Sequence, residues 1–298
     1  MKAIEVKGIF KSFREGFLLE RKEVLHGVEF EVRGGAVVGL LGPNGAGKTT
    51  TIKIIMGISE PDSGEVLVSG KRASRSTREN IGFLPEAPYF YDYLTGREIL
   101  TSFARFYRMK GDISRRVDEV LEIVGMRDEA DRWVRSYSKG MLQRIGLAQA
   151  IIHDPDLLVL DEPMSGLDPI GRREFREIIS GLKKKGKTIL FSSHILQDVE
   201  MICDEVVMIY EGRVIKQGVL EDMLSGEISH YEVTVEGVEE IPGFTPERRS
   251  GKRLLFMVEE GRVDSIVKAV IEAGGKIRAV IPRTLTLEEI FIREVKDR

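Results

Sequence analysis

The 298-residue sequence holds one cysteine, Cys203, so no disulfide can form within the chain. A lone thiol just ahead of a strand is expected to act as a small buried hydrophobe. No apolar run approaches the roughly 20 residues that span a bilayer. The longest, 36–41 and 157–160, are strand-length. The start, Met1-Lys2-Ala3-Ile4-Glu5, has no apolar signal region, which predicts a chain that is not secreted. There is no surplus of positive charge either. The formal net charge is −3, which argues against a simple cationic nucleic-acid binder. Internal repeats and low-complexity segments are lacking. What is present is 42% hydrophobic and 31% charged residues, a globular composition on a length suited to about two domains.

Two textures divide the chain. Residues 1–226 carry glycine-punctuated motifs between apolar strands and helical patterns, and residues 230–298 carry none. In the first part, strands are expected at 4–6 and 28–32, with a charged hairpin tip over 14–22 between them. Buried-type strands follow at 36–41, 157–160 and 188–192, with shorter ones at 65–68 and 81–84. Helical patterns cover 49–56, 96–107, 115–124, 141–153 and 171–184. A hairpin turns at Glu211-Gly212. Ser225 and Gly226 mark a helix end. The second part alternates strand and helix in a small α+β pattern, with strands at 231–235, 254–258 and 276–281 and helices at 263–273 and 287–295.

The chemistry begins at Gly42-Pro43-Asn44-Gly45-Ala46-Gly47-Lys48-Thr49, which fits G-x-x-x-x-G-K-[ST] after an apolar strand and before a helix. Glycines let backbone N–H groups curl around phosphate oxygens, and the following helix aims its positive end at the same anion. Lys48 is expected to neutralise β- and γ-phosphate charge, Thr49 to ligate Mg²⁺, and Thr50 to complete the lining. A second buried strand ends in Asp161-Glu162. Asp161 is expected to hold the metal, and Glu162 to take a proton from an attacking water or to orient it.

Further motifs resemble those of the ATP-binding cassette (ABC) ATPases. Tyr137-Ser138-Lys139-Gly140-Met141 with Gln143-Arg144 is similar to that family's signature, Ser165-Gly166-Leu167-Asp168 to its D-loop, and Ser192-Ser193-His194 to its switch histidine. Phe13 stands where the family stacks an aromatic on adenine. The resemblance implies an α/β fold: a P-loop NTPase cassette with a RecA-like core, an antiparallel β subdomain and an α-helical signature subdomain, followed by a small α+β C-terminal domain. It also implies ATP and Mg²⁺ as ligands and a head-to-tail pair of cassettes, either two copies or a copy with a paralogue. Ser138 and Gly140 of one cassette would then cap the ATP held by Lys48 of the other, with Asp168 also counted among the nucleotide-binding residues and His194 bonding the γ-phosphate and Glu162.

Two positions depart from the family's pattern. Glu86 follows the strand at 81–84 where the family has Gln, and it is expected to sense Mg²⁺ and the γ-phosphate at a higher demand for metal. Met141 replaces the Gln that closes the signature and is expected to pack. With no spanning segment, a transport role requires separate membrane permease subunits, and the chain is expected to be cytoplasmic and peripheral on the inner face of the membrane. The aromatic segment 85–95 is the expected contact, with Tyr89 and Tyr91 exposed. The ending Thr286-Leu287-Glu288-Glu289-Ile290-Phe291 resembles drug-export-type cassettes with an accessory domain. The alternative is a soluble ABC ATPase acting on a macromolecular partner; no nucleic acid is expected. Trp133 is expected to pack within the helical subdomain, and His26, His153 and His230 to be structural or on the surface.

Overall fold

Charged residues alternating with Ile and Val open the chain as two long strands, β1 (Lys2–Glu15) and β2 (Glu20–Arg33), paired antiparallel with Phe13 opposite Lys22. Both run well beyond the stretches expected at 4–6 and 28–32. Register shifts between Val6 and Ile9, and again at Phe10 and Ser12, break the two-residue alternation, so periodicity marks only part of each strand. Our computed structural model describes residues 2–15, 20–225 and 228–297. Residues 16–19 of the expected hairpin tip therefore lie outside the described residues, as does Gly226.

β3 (Val37–Leu41) is buried at all five positions and runs through residues 42–47 into α1 (Lys48–Ile55). β4 (Ser63–Val68) and β5 (Lys71–Arg72) complete an antiparallel sheet in the order β2-β1-β4-β5. A short α2 (Arg75–Arg78) precedes β6 (Ile81–Leu84). Three helices then form the helical part: α3 (Gly96–Phe106), α4 (Ile113–Ile123) and α5 (Lys139–Ile151). Each starts where a polar side chain takes a free helical N–H: Thr95 that of Glu98, Asp112 that of Arg115, and Ser138 that of Met141.

The chain returns to the core with β7 (Leu157–Leu160), α6 (Pro169–Lys184), β8 (Thr188–Ser193), α7 (Leu196–Ile202), β9 (Glu205–Tyr210) and β10 (Arg213–Val219). These build a six-stranded sheet ordered β10-β9-β3-β8-β7-β6, parallel except for the edge strand β10. β7 and β8 are buried throughout, as befits parallel strands covered on both faces. Gly39 in the middle of β3 leaves room for Cys203, whose sulfur lies 2.9 Å from where a Cβ would stand.

The described chain forms two units, Met1–Leu220 and Glu221–Arg298. The second begins within α8 (Leu220–Leu224) and contains β11 (Ile228–Glu236), β12 (Arg248–Ser250), β13 (Arg253–Val258), α9 (Val263–Glu272), β14 (Lys276–Thr284) and α10 (Leu287–Lys296). Its antiparallel sheet runs β12-β13-β11-β14. Val233, Val235, Leu254, Phe256 and Val258 alternate onto one face and pack with Ile266 and Val270 of α9. Thr286 and Glu289 cap the start of α10 reciprocally.

Candidate functional site

Ligands of open parallel sheets bind beyond the carboxyl ends of the strands. Four neighbouring strands deliver the expected residues to that edge: β3 leads into Gly42–Lys48, β6 into Glu86, β7 into Asp161 and Glu162, and β8 into His194. Backbone bonds hold the ends together. The Gly42 N–H donates to Ser193 O at 3.2 Å, and the Asp161 N–H to Leu84 O at 2.8 Å. A cleft of about 500 Å³ opens there, lined among others by Asn44, Lys48, Thr49, Glu86, Glu162 and His194.

The loop leaves no space for side chains at its two ends. A Cβ on Gly42 would lie 2.2 Å from Ile209 O, and Gly47 takes φ +103° with Leu25 2.5 Å from its missing Cβ. Lys48 is 5% exposed. Its ammonium donates to Gly42 O at 2.7 Å and Pro43 O at 3.1 Å, and pairs with Glu162 Oε1 at 3.1 Å. The other carboxylate oxygen of Glu162 meets His194 Nδ1 at 2.8 Å. Glu162 thus lies between a buried ammonium and an imidazole. Its backbone sits at φ +46°, a left-handed conformation that costs a non-glycine residue energy. The surrounding bonds hold that strain in place.

Beneath the cleft, Asp161 is 3% exposed. The Ser192 hydroxyl donates to its Oδ1 at 2.7 Å and the Thr49 hydroxyl at 3.2 Å. The Glu162 N–H donates in turn to Ser192 Oγ at 2.7 Å. Burial pushes the Asp161 carboxyl above the usual range; the two hydroxyls oppose this, while Glu86 and Glu162 add to it. An anion held so is suited to a cation. The donors present are hard oxygens from Thr49, Asp161 and, nearby, Glu86, fewer than a protein cage supplies. Mg²⁺ fits this set, because it keeps water and phosphate oxygens as its other ligands.

Of the expected residues, Gly45, Gly47 and Thr50 also line the cleft, whereas Gly42, Pro43, Ala46, Asp161, Phe13, Ser138, Gly140 and Asp168 do not. Phe13 is 42% exposed on β1, with the Lys11 ammonium 5.3 Å from its ring centroid. Ser138 and Asp168 cap α5 and α6. Signature and D-loop meet within the chain: a Cβ on Gly166 would strike the Lys139 side chain, and one on Gly140 would touch Leu167. Sequence reasoning missed the Ser192 relay and the lining role of Ser165. The signal for Ser192 was a polar residue closing an otherwise apolar buried strand.

Away from the cleft, an apolar groove of about 370 Å³ is lined by Tyr89, Tyr91, Leu94, Phe103 and Phe106, with Phe90 buried beneath. Tyr89 is 86% exposed and Tyr91 60%. Trp133, expected to pack inside the helical part, is 51% exposed instead. Its ring is covered by the Arg135 guanidinium, 4.0 Å from the centroid, so the packing is cation–π rather than apolar. His153 fits its structural reading, stacked on Tyr107 with centroids 3.9 Å apart.

A model of the ABC transporter family matches residues 25–165. An uncharacterised ABC transporter ATP-binding protein of Nostoc is 45% identical over 96% of this chain and 88% of its own length. The Nod factor export ATP-binding protein I of Burkholderia lata is 34% identical over 91% of this chain and 92% of its own. Among solved structures, the ATP-binding subunit of an ABC transporter aligns with a TM-score of 0.65 at 34% identity, covering 75% of this chain and 92% of that one.

Proposed function

This chain belongs to the ABC transporter ATP-binding proteins, and from that premise we propose that it powers an exporter by ATP-driven pairing of two cassettes against separate membrane permease subunits. Its reaction is the hydrolysis of ATP to ADP and phosphate. The observation that carries the catalytic part is the buried set Lys48–Glu162–His194 beside the loop 42–47.

In this reading the loop N–H groups and the α1 N-terminus receive the β- and γ-phosphates. Lys48 exchanges its carbonyl and Glu162 partners for phosphate oxygens, which frees one Glu162 oxygen. That oxygen takes a proton from water as the water attacks the γ-phosphorus and the bond to the β-phosphate oxygen breaks. His194 steadies Glu162 through Nδ1 and offers its other ring nitrogen to the γ-phosphate. Thr49, Asp161 and Glu86 would hold Mg²⁺, which supplies neutralisation of phosphate charge. Ser138, Gly140 and Asp168, lying outside the cleft of their own chain, are free to complete the site of a second cassette, a copy or a paralogue. Phe13 supplies the adenine platform.

No helix among the described residues is long and apolar enough to cross a membrane. The groove at Tyr89 and Tyr91 is where we place a permease helix, which seats the chain on the cytoplasmic face of the membrane. The relative that exports Nod factor supports the outward direction. We assign the cassette to residues 1–226, and to 230–298 an accessory domain that supports pairing or regulation. The test is co-purification from membranes of a tagged Glu162→Gln chain in ATP. A polytopic permease is the expected companion. A ribosome or a DNA complex would replace this reading with that of a soluble ATPase.

A further inference from the structure

Helix α5 carries Ser138 at its start, outside the cleft, yet its middle is bolted to a residue that lines the cleft. Gln143 is 1% exposed, and its Nε2 donates to the backbone oxygen of Glu86 at 2.7 Å, across 57 residues of sequence. The carbonyl dictates the amide's orientation, because an amide oxygen turned toward it would face another oxygen. One turn on, Gly146 would place a Cβ 2.6 Å from Leu84 and 3.1 Å from Pro88. A turn further, Ala150 O lies 2.2 Å from where Gly82 would carry one. Positions 143, 146 and 150 share a helix face. That face therefore rests on β6 and on both sides of Glu86 with no slack.

The amide is a poor device for stability. Its Oε1 is buried with no hydrogen-bond partner among the described residues. A half-satisfied buried amide gains nothing over an apolar side chain of similar volume. Its donor does something an apolar side chain cannot: it fixes the Glu86 main chain relative to α5.

We propose that Gln143 is a positioning residue that makes the Glu86 segment and α5 one moving part, so that Mg²⁺ and γ-phosphate felt at Glu86 reset Ser138 for the second nucleotide. This rests on the paired-cassette reading above. The test measures that coupling directly.

The full chain carrying Glu162→Gln is mixed with ATP and Mg²⁺, and its pairing is followed by light scattering, with and without Gln143→Met, which removes the donor at similar length. Gln143→His, which keeps a ring N–H at comparable reach, is the rescue. Expected for Gln143→Met are an unchanged melting temperature, an unchanged Kd for ATP at concentrations too low for pairing, and pairing weakened about fivefold or more. Gln143→His should restore most of the pairing. Undiminished pairing in Gln143→Met overturns the proposal, and so does a loss in both variants that tracks a lower melting temperature, since that is a packing role. If the Glu162→Gln parent itself fails to pair in ATP, the paired-cassette reading fails and takes this one with it.

Discussion

Replacing Glu162 by Gln removes the charge that faces Lys48 while keeping an acceptor of the same shape. The pair is 3.1 Å apart, with side chains only 5% and 10% exposed. At an effective dielectric near 20, its gross Coulomb energy is about 5 kcal/mol. Removing one partner of a buried pair typically costs about 3–5 kcal/mol. Lys48 keeps two carbonyl partners and the Gln oxygen, so the expected net loss is smaller, about 2 kcal/mol without nucleotide. For a chain of this size that lowers the melting temperature by roughly 5 °C. ATP should reverse the order. In the native chain phosphate must displace the carboxylate from Lys48 and then sit beside it; in Glu162→Gln it does neither. Binding of ATP without metal should tighten by about 2 kcal/mol, roughly thirtyfold in Kd. Hydrolysis should fall by about a hundredfold to ten-thousandfold with the base removed. The assays are thermal unfolding with and without ATP in chelator, equilibrium binding, and phosphate release. Identical melting temperatures and affinities for the two proteins would refute the ion-pair exchange, and hydrolysis at the native rate would refute the role of the base.

Three other outcomes follow from the same geometry. Tyr89→Ala with Tyr91→Ala alters exposed side chains, so stability should change by less than about 0.5 kcal/mol and basal ATPase should persist while transport is lost; lost ATP binding would instead signal misfolding. Glu86→Gln removes a carboxylate near Asp161 and should lower the Mg²⁺ needed for half-maximal ATPase about two- to fivefold, read from a metal titration; an unmoved titration ends the metal role of Glu86. Burial, with Arg116 adding to it, holds the His153 imidazole down at about 4. A depressed histidine contributes stability that is complete above its unfolded value and lost as pH falls from about 6.5 to about 4, here about 2 kcal/mol after allowance for solvent access. His153→Phe keeps the stack on Tyr107 and should flatten that slope in urea unfolding.

Much of this was legible in sequence because local physics fixes it. The loop 42–49 follows an apolar strand and opens a helix, the only context in which its glycines and lysine make a phosphate cradle. Asp161 and Glu162 close a run of four aliphatic residues with the length of a buried strand, which it forms. Thr95, Ser138 and Asp168 cap the helices they precede, a local signal that the helical periodicity passed over, so the helices expected from 141 and 171 begin at 139 and 169. The length of β1 and β2 was hidden by register shifts that destroy the alternation used to find strands. Trp133 misled because an indole is read as core, whereas a guanidinium can cover it at the surface equally well.

The sequence by itself determined which residues have the chemistry: an anion cradle, two carboxylates, a histidine and a capped helix, each set by neighbours a few positions away. Tertiary structure alone decided their pairing. The order β9-β3-β8-β7-β6 brings strand ends more than a hundred residues apart to one edge, where Thr49 bonds Asp161 and Lys48 meets Glu162. The same packing ties Gln143 to Glu86 and leaves Ser138 outside the cleft. Burial then set the energetics, because only exclusion of water makes the Lys48–Glu162 pair strong and pushes the Asp161 carboxyl upward. No spacing along the chain encodes a dielectric environment.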